Sequence, residues 1–284
     1  MIPAAFGYSR AGSVDEAVQI LARDGGTKVI AGGHSLLPLL KLRLAATENL
    51  LDIGRLSELR GTRYLPDGSA ELGPLTTYAD IIRDTRLDWV REAVQHIADR
   101  QVRNVGTVGG SIAHADPASD MPAIGLALDY SVVLRSARGE RVVPLDGFFL
   151  GPFQTTAEPD ELLVSLRRGP LPEGARGAYR KLAQPASGYA IVGVAAVIAR
   201  TGGQISHARI GITGVGDHAY RAKGVESALT GSDASEAAVA AAARHATDGV
   251  EVASDIHADT EYRTAMAEVY TRRAIEGAVA SSGG

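Results

Sequence analysis

The chain has 284 residues, 45% of them hydrophobic and 22% charged, and a net charge of −4. That length can bury a real core in one large domain or two, and the acidic balance leaves no basic footprint for nucleic acid. The cysteine count is zero, which excludes disulfides, thiolate zinc sites, cysteine nucleophiles and cysteine-ligated iron–sulfur clusters within the chain. The seven histidines form no H-x-x-x-H pair beside an acid, so no metal site is expected. No apolar run approaches a membrane span. The first ten residues lack the charged-then-apolar order of a signal peptide, and the expected location is cytoplasmic.

In chain order, Ser13 and Glu16 read as a capping box. Val14, Ala17, Val18 and Leu21 then share one helical face. Gly25-Gly26 ends that helix, and a strand is expected over 27–31. The strand runs into Gly32-Gly33-His34-Ser35-Leu36. Two glycines after a buried strand permit positive φ and let a ligand approach the main chain. The N–H groups released there can form a nest for an anion such as a pyrophosphate. Helix, strand, glycine turn is not the strand, glycine turn, helix order of a Rossmann site. Pro38 within Leu-Leu-Pro-Leu-Leu argues against a helix start after Gly33. Short strands are expected over 49–53, 63–65 and 70–72. A helix capped by Thr77 with Asp80 follows, and then an amphipathic helix over 88–98.

A second glycine-rich stretch runs Gly106-Thr107-Val108-Gly109-Gly110-Ser111-Ile112-Ala113-His114-Ala115-Asp116-Pro117-Ala118-Ser119-Asp120. It reads as a turn leading to an apolar helix over 121–128. Asp116 and Asp120 serve either as helix caps, a role in which Asp is strongly preferred, or as ligands. Further on, residues 161–166 read as a buried strand and residues 169–174, rich in Gly and Pro, as a linker. A strand near 178–182, a hairpin of 190–200 with 205–213 around Gly202-Gly203, and helices over 234–247 and 260–279 complete the chain. The run Gly214-Val215-Gly216-Asp217-His218-Ala219 matches G-x-G-x-x-A. It lacks the βαβ context and the acid about twenty residues on, so it reads as a loop.

Taken together, AGGHSLLPLLKLR and TVGGSIAHADPASDMPA resemble the two FAD-binding motifs of the medium subunit of molybdenum hydroxylases, the carbon monoxide dehydrogenase and xanthine dehydrogenase family. The resemblance covers essentially the whole chain. It implies an α+β fold: a two-subdomain FAD-binding domain of the vanillyl-alcohol-oxidase (PCMH) type over 1–172, divided at about 54, and a small C-terminal α+β domain over 173–284. It implies non-covalent FAD between the subdomains, with the pyrophosphate on both glycine turns. Val29, Ile30, Ala31, Gly32, Gly33, His34, Ser35 and Leu36 would line one half of the cofactor. Gly106, Thr107, Gly110, Ser111, Ala113, His114 and Leu163 would line the other, with Asp120 on the ribose. Lys181 would stand beside the flavin ring, where a cation stabilises charge that develops on reduction; as a strand-end lysine it would simply be solvated. Tyr189 would cover a ring face or pack in the core. The family often has Arg where this chain has Pro185, so any contact from that arginine is lost.

The resemblance also implies partners. A small subunit would carry [2Fe–2S] clusters, a large subunit would carry molybdopterin and perform the hydroxylation, and the assembly would be a dimer of heterotrimers. A stand-alone FAD-dependent oxidoreductase and a flavin-free scaffold subunit are the competing readings. Intact glycine motifs argue against the scaffold.

Overall fold

The structure is a computed structural model and describes residues 2–86 and 88–280. Strand β1 (Gly7–Arg10) leads to helix α1 (Val14–Arg23), strand β2 (Thr27–Ile30), helix α2 (Leu36–Leu42) and strand β3 (Asn49–Asp52). The three strands form a parallel sheet in the order β1-β3-β2. Ser13 caps α1 by accepting from Glu16 N–H. The Glu16 carboxylate reaches the N–H of Gly12 at 2.7 Å, not that of the capping residue. The apolar face of α1 closes a small core with Leu51, Ile53, Leu56 and Leu59, each large side chain adding about 1.5–3 kcal/mol by burial.

The segment after Gly33 is helical, contrary to the reading of Pro38. Proline occupies the third residue of α2, where its missing N–H has no intrahelical acceptor in any case.

Next come β4 (Thr62–Tyr64), β5 (Ala70–Leu72), α3 (Tyr78–Arg83), α4 (Asp88–Gln95), α5 (Arg100–Val105), α6 (Val108–His114) and α7 (Asp120–Ala127). Thr77 and Asp80 form a complete capping box on α3. Strands β6 (Ser131–Ser136), β7 (Gly139–Pro144), β8 (Phe149–Gly151), β9 (Gln154–Thr155) and β10 (Leu162–Arg168) follow. An antiparallel sheet β4-β5-β10-β6-β7 backs the helices, and β8-β9 is a separate ribbon. The β6–β7 hairpin had no counterpart in the sequence reading. The second glycine-rich stretch is not a turn. Residues 108–114 are helix α6, capped by the Thr107 hydroxyl on Gly110 N–H at 3.1 Å.

The C-terminal region is a meander, β11 (Arg176–Ala183), β12 (Ala190–Thr201), β13 (Gln204–Thr213) and β14 (Tyr220–Arg221), paired in that order. Helices α8 (Lys223–Leu229), α9 (Glu236–Ala243) and α10 (Thr260–Ala280) complete it. On one face of the sheet, side chains of β12 and β13 pack with those of α8, α9 and α10. From the other face, Tyr179, Ala195 and Val197 join the main core with Ile124, Leu126 and Phe148. The core therefore continues across the glycine- and proline-rich connection.

Candidate functional site

The first glycine motif sits where β2 ends. Gly32 has no room for a side chain, because a Cβ there would overlap the Val105 carbonyl oxygen and come within 3.1 Å of Gly106 Cα. Its bare backbone lets the two motifs touch. Gly33 turns the chain at φ +72, a conformation that glycine adopts freely. Among the described residues, none of the backbone N–H groups of residues 32–36 finds an acceptor. The Gly32 carbonyl accepts the His34 ring nitrogen at 3.0 Å, and Ser35 precedes α2 without spending its hydroxyl on a cap. Five such donors beside an idle hydroxyl form a cradle for an anion.

The second motif behaves differently. Val108 N–H donates to Thr76 O at 3.0 Å, Gly109 N–H to Pro74 O at 2.9 Å and Ser111 N–H to Thr107 O at 3.0 Å. With Gly110 held by Thr107, the N–H groups of 108–111 are all satisfied internally. The expectation of a pyrophosphate resting on both backbones therefore finds a row of free donors on the first alone; among residues 106–111 of the second, Thr107 N–H is the one without an acceptor among the described residues. Gly109 is required for packing, since a Cβ would lie 2.6 Å from Pro74 Cα. Gly110 and Ala113 are exposed and, three residues apart, form one bare strip of helix surface. Ser111 Oγ lies 2.6 Å from Ser119 Oγ. The His114 ring tilts against Phe153 with centroids 5.0 Å apart, and burial holds its imidazole below the ordinary histidine range. Phe153 is 55% exposed and has φ +57, an outlier for a bulky residue. Leu163 is 8% exposed and belongs to the main core. Val29 and Ala31 pack against the small core of the parallel sheet.

Asp120 opens α7 and is almost fully buried. Lys181 Nζ lies 2.9 Å from both carboxylate oxygens, and the Tyr179 hydroxyl donates to Oδ1. Lys181 Nζ also reaches His96 O at 3.4 Å. Burial pushes the Asp120 carboxyl above its ordinary range, while Lys181 and Tyr179 pull it back. The lysine is thus neither solvated nor a solitary cation; it is half of a buried ion pair, 6% exposed on each side. The sequence reading picked out both partners but not their pairing, and it missed Tyr179. Strand alternation was the available signal, because residues 179 and 181 point to the same side.

Strand ends of the C-terminal sheet grip the 116–120 turn that presents Asp120. Gly214 N–H donates to Pro117 O at 2.8 Å, and Thr213 Oγ1 donates to Pro117 O and Ser119 O at 2.7 and 2.9 Å. Tyr189 is 45% exposed and lines a cavity of about 300 Å3 with Asp116, Gln184, Asp255, His257 and Arg263. It is therefore not a core residue. Burial, then the carboxylates of Asp116 and Asp120, raise its hydroxyl above the usual phenol range. Arg263 braces the cavity through Ile191 O at 2.9 Å and Gly214 O and Asp255 at 2.5 Å each.

Residues 4–168 match the family described as the FAD binding domain in molybdopterin dehydrogenase, and residues 177–278 match the CO dehydrogenase flavoprotein C-terminal domain. The chain is 43% identical to the carbon monoxide dehydrogenase medium chain of Hydrogenophaga pseudoflava over 98% of both chains. It is 36% identical to the glyceraldehyde dehydrogenase medium chain of Sulfolobus acidocaldarius over 97% of this chain and 99% of that one. Among solved structures, carbon monoxide dehydrogenase from H. pseudoflava superposes with a TM-score of 0.94 at 42% identity, covering 99% of each chain. Quinoline 2-oxidoreductase from Pseudomonas putida 86 gives 0.91 at 33% identity with the same coverage. Glycine-cradled donors, a two-part core and full-length similarity agree, and the chain belongs to the FAD-binding medium subunits of the molybdenum hydroxylase family.

Proposed function

We propose that this chain is an electron-transfer subunit, taking electrons from [2Fe–2S] clusters on a small partner subunit and passing them through non-covalent FAD to an external acceptor. Hydroxylation would occur on a large partner subunit that carries the molybdenum cofactor, in a dimer of heterotrimers in the cytoplasm. The relatives' own designation as medium chains supports partner subunits. The observation that carries the reading is the row of unpartnered N–H groups at residues 32–36, held against the second motif by Gly32. Gly32 and Gly33 carry no side chain of their own to block the approach of a pyrophosphate, and Ser35 adds a hydroxyl.

Bound FAD would supply a carrier that exchanges electrons with one-electron and two-electron partners. The protein supplies the rest. Val29, Ile30, Ala31 and Leu36 flank the anion cradle. Thr107, Gly110, Ser111, Ala113 and His114 offer a bare helix strip with hydroxyls beside it. Asp120 accepts hydrogen bonds from the cofactor, and Leu163 closes the site from the core. Lys181 and Tyr189 stand on the C-terminal side, where Lys181 acts together with Asp120 as a fixed dipole in a low-dielectric setting.

Two measurements on the natively purified protein test this reading. Acid precipitation is expected to release all flavin to the supernatant, and native mass with metal content is expected to give a complex containing molybdenum and iron. Yellow protein active on its own would establish a stand-alone FAD-dependent oxidoreductase instead, and a colourless chain would establish a scaffold.

A further inference from the structure

We propose that Tyr179 is a positioning residue of the cofactor site, whose hydroxyl keeps the Asp120 carboxylate ionised and fixed in the one orientation that also receives Lys181. The inference rests on the proposed FAD role of Asp120. Three observations carry it. First, Tyr179 is 7% exposed, and among the described residues its hydroxyl has one partner, the Asp120 carboxylate. A packing tyrosine would not need its hydroxyl aimed at a buried acid, where an unmatched polar group is costly.

Second, the chain makes room for that hydroxyl. Tyr179 on β11 lies opposite Ala195 on β12, and two residues earlier on β12 stands Gly193, where a Cβ would overlap the Tyr179 oxygen. Thr213 Cγ2 at 2.9 Å and Tyr179 Cζ at 3.2 Å would crowd that Cβ as well, but the hydroxyl is the atom it would meet first.

Third, Tyr179 and Lys181 reach Asp120 from the same strand face, while Asp120 belongs to α7 in the other half of the molecule. The carboxylate is thus held by two donors one strand period apart. A carboxylate has about four lone-pair directions; these two donors fix its plane and leave acceptor capacity for a cofactor hydroxyl.

The groups whose charge acts on this carboxylate are few. Lys181 and Tyr179 face it from β11, Tyr78 from α3, and Tyr189 from the loop that joins β11 to β12. Asp116, in the turn before α7, acts on Tyr189. Of these donors to Asp120, Tyr179 is the neutral one. Removing its hydroxyl therefore changes the stability of the ionised carboxylate without changing the charge count of the site.

The test is FAD release from the protein in the complex with which it copurifies, followed by flavin fluorescence between pH 5 and 8. Four forms are compared: wild type, Tyr179→Phe, Asp120→Asn and the double variant. A hydrogen bond to a charged group corresponds to about one to two pH units in the acid's midpoint. In Tyr179→Phe, the pH at which release accelerates is expected to rise by that amount relative to wild type. In the Asp120→Asn background, Tyr179→Phe is expected to leave the profile unchanged, because no acid remains to shift. A uniform acceleration at every pH, or the same shift with Asn at 120, would reduce Tyr179 to a packing residue and overturn the inference. Wild-type protein without FAD would instead overturn the proposed function, so the two failures are distinct.

Discussion

Lys181 and Asp120 act as one unit. Each is 6% exposed at the side chain, and the ammonium touches both carboxylate oxygens. Breaking a buried pair by removing one partner typically costs about 3–5 kcal/mol, because the other charge is left unmatched. Lys181→Met is therefore expected to lower the unfolding free energy by about that amount, read by urea denaturation. It should also lower the flavin midpoint potential, since an unpaired carboxylate opposes added negative charge. Adding Asp120→Asn should recover most of the stability and move the potential back toward wild type. Additive losses in the double variant would mean that the two charges act separately. The sequence makes each residue a candidate through its own motif. The partnership was not legible, because it joins positions 61 residues apart, and no local pattern encodes a contact of that range.

At the scale of elements, what the sequence reveals depends on whether an element is built locally. Caps are local: Ser13 on α1 and the Thr77–Asp80 box on α3 follow from side chains three residues apart. Helix α6 is not local. Its glycines disfavour a helix by about 1 kcal/mol each, and it stands because Gly109 packs on the Pro74 backbone while Thr107 and neighbouring carbonyls take up its first N–H groups. The two glycines of the first motif have different requirements, which can be measured apart. Gly32→Ala puts a Cβ into the Val105 carbonyl; it is expected to separate the motifs, abolish flavin absorbance and destabilise the fold by about 1–3 kcal/mol. At Gly33 the added Cβ meets the flexible end of Leu37 at 3.0 Å, so the difficulty is φ. Gly33→Asn, which tolerates the left-handed region, should retain FAD better than Gly33→Val. Equal behaviour of Asn and Val would show that space rather than φ governs position 33.

At the scale of the whole molecule, the FAD domain and the C-terminal domain meet through backbone. Helix α7 lies against β12 and β13, and Gly211 on β13 approaches so closely that a Cβ would overlap the Ala123 carbonyl of α7. The composition at 169–174 reads as a linker; the main core runs across it, and the 116–120 turn is gripped by Thr213 and Gly214. The sequence reading placed position 211 in a strand and gave its glycine no role; glycine inside a strand often marks a close approach, but the partner lies on another element and no local pattern names it. Gly211→Ala must push β13 away from α7, with consequences beyond stability. Lys181 and Tyr179 reach Asp120 only while the C-terminal sheet is seated on α7. The substitution is therefore expected to destabilise the protein by about 1–3 kcal/mol and to weaken FAD retention, although position 211 is outside the proposed cofactor-contact set. Gly169→Ala serves as the control, because nothing lies within 4 Å of its added Cβ and its φ is ordinary; it should change stability by no more than about 0.5 kcal/mol. Calorimetry and flavin fluorescence on both variants decide the matter. If Gly211→Ala loses stability but keeps FAD as tightly as the control, the C-terminal domain does not hold Asp120 in place for the cofactor, and the cofactor site is complete within the first 168 residues.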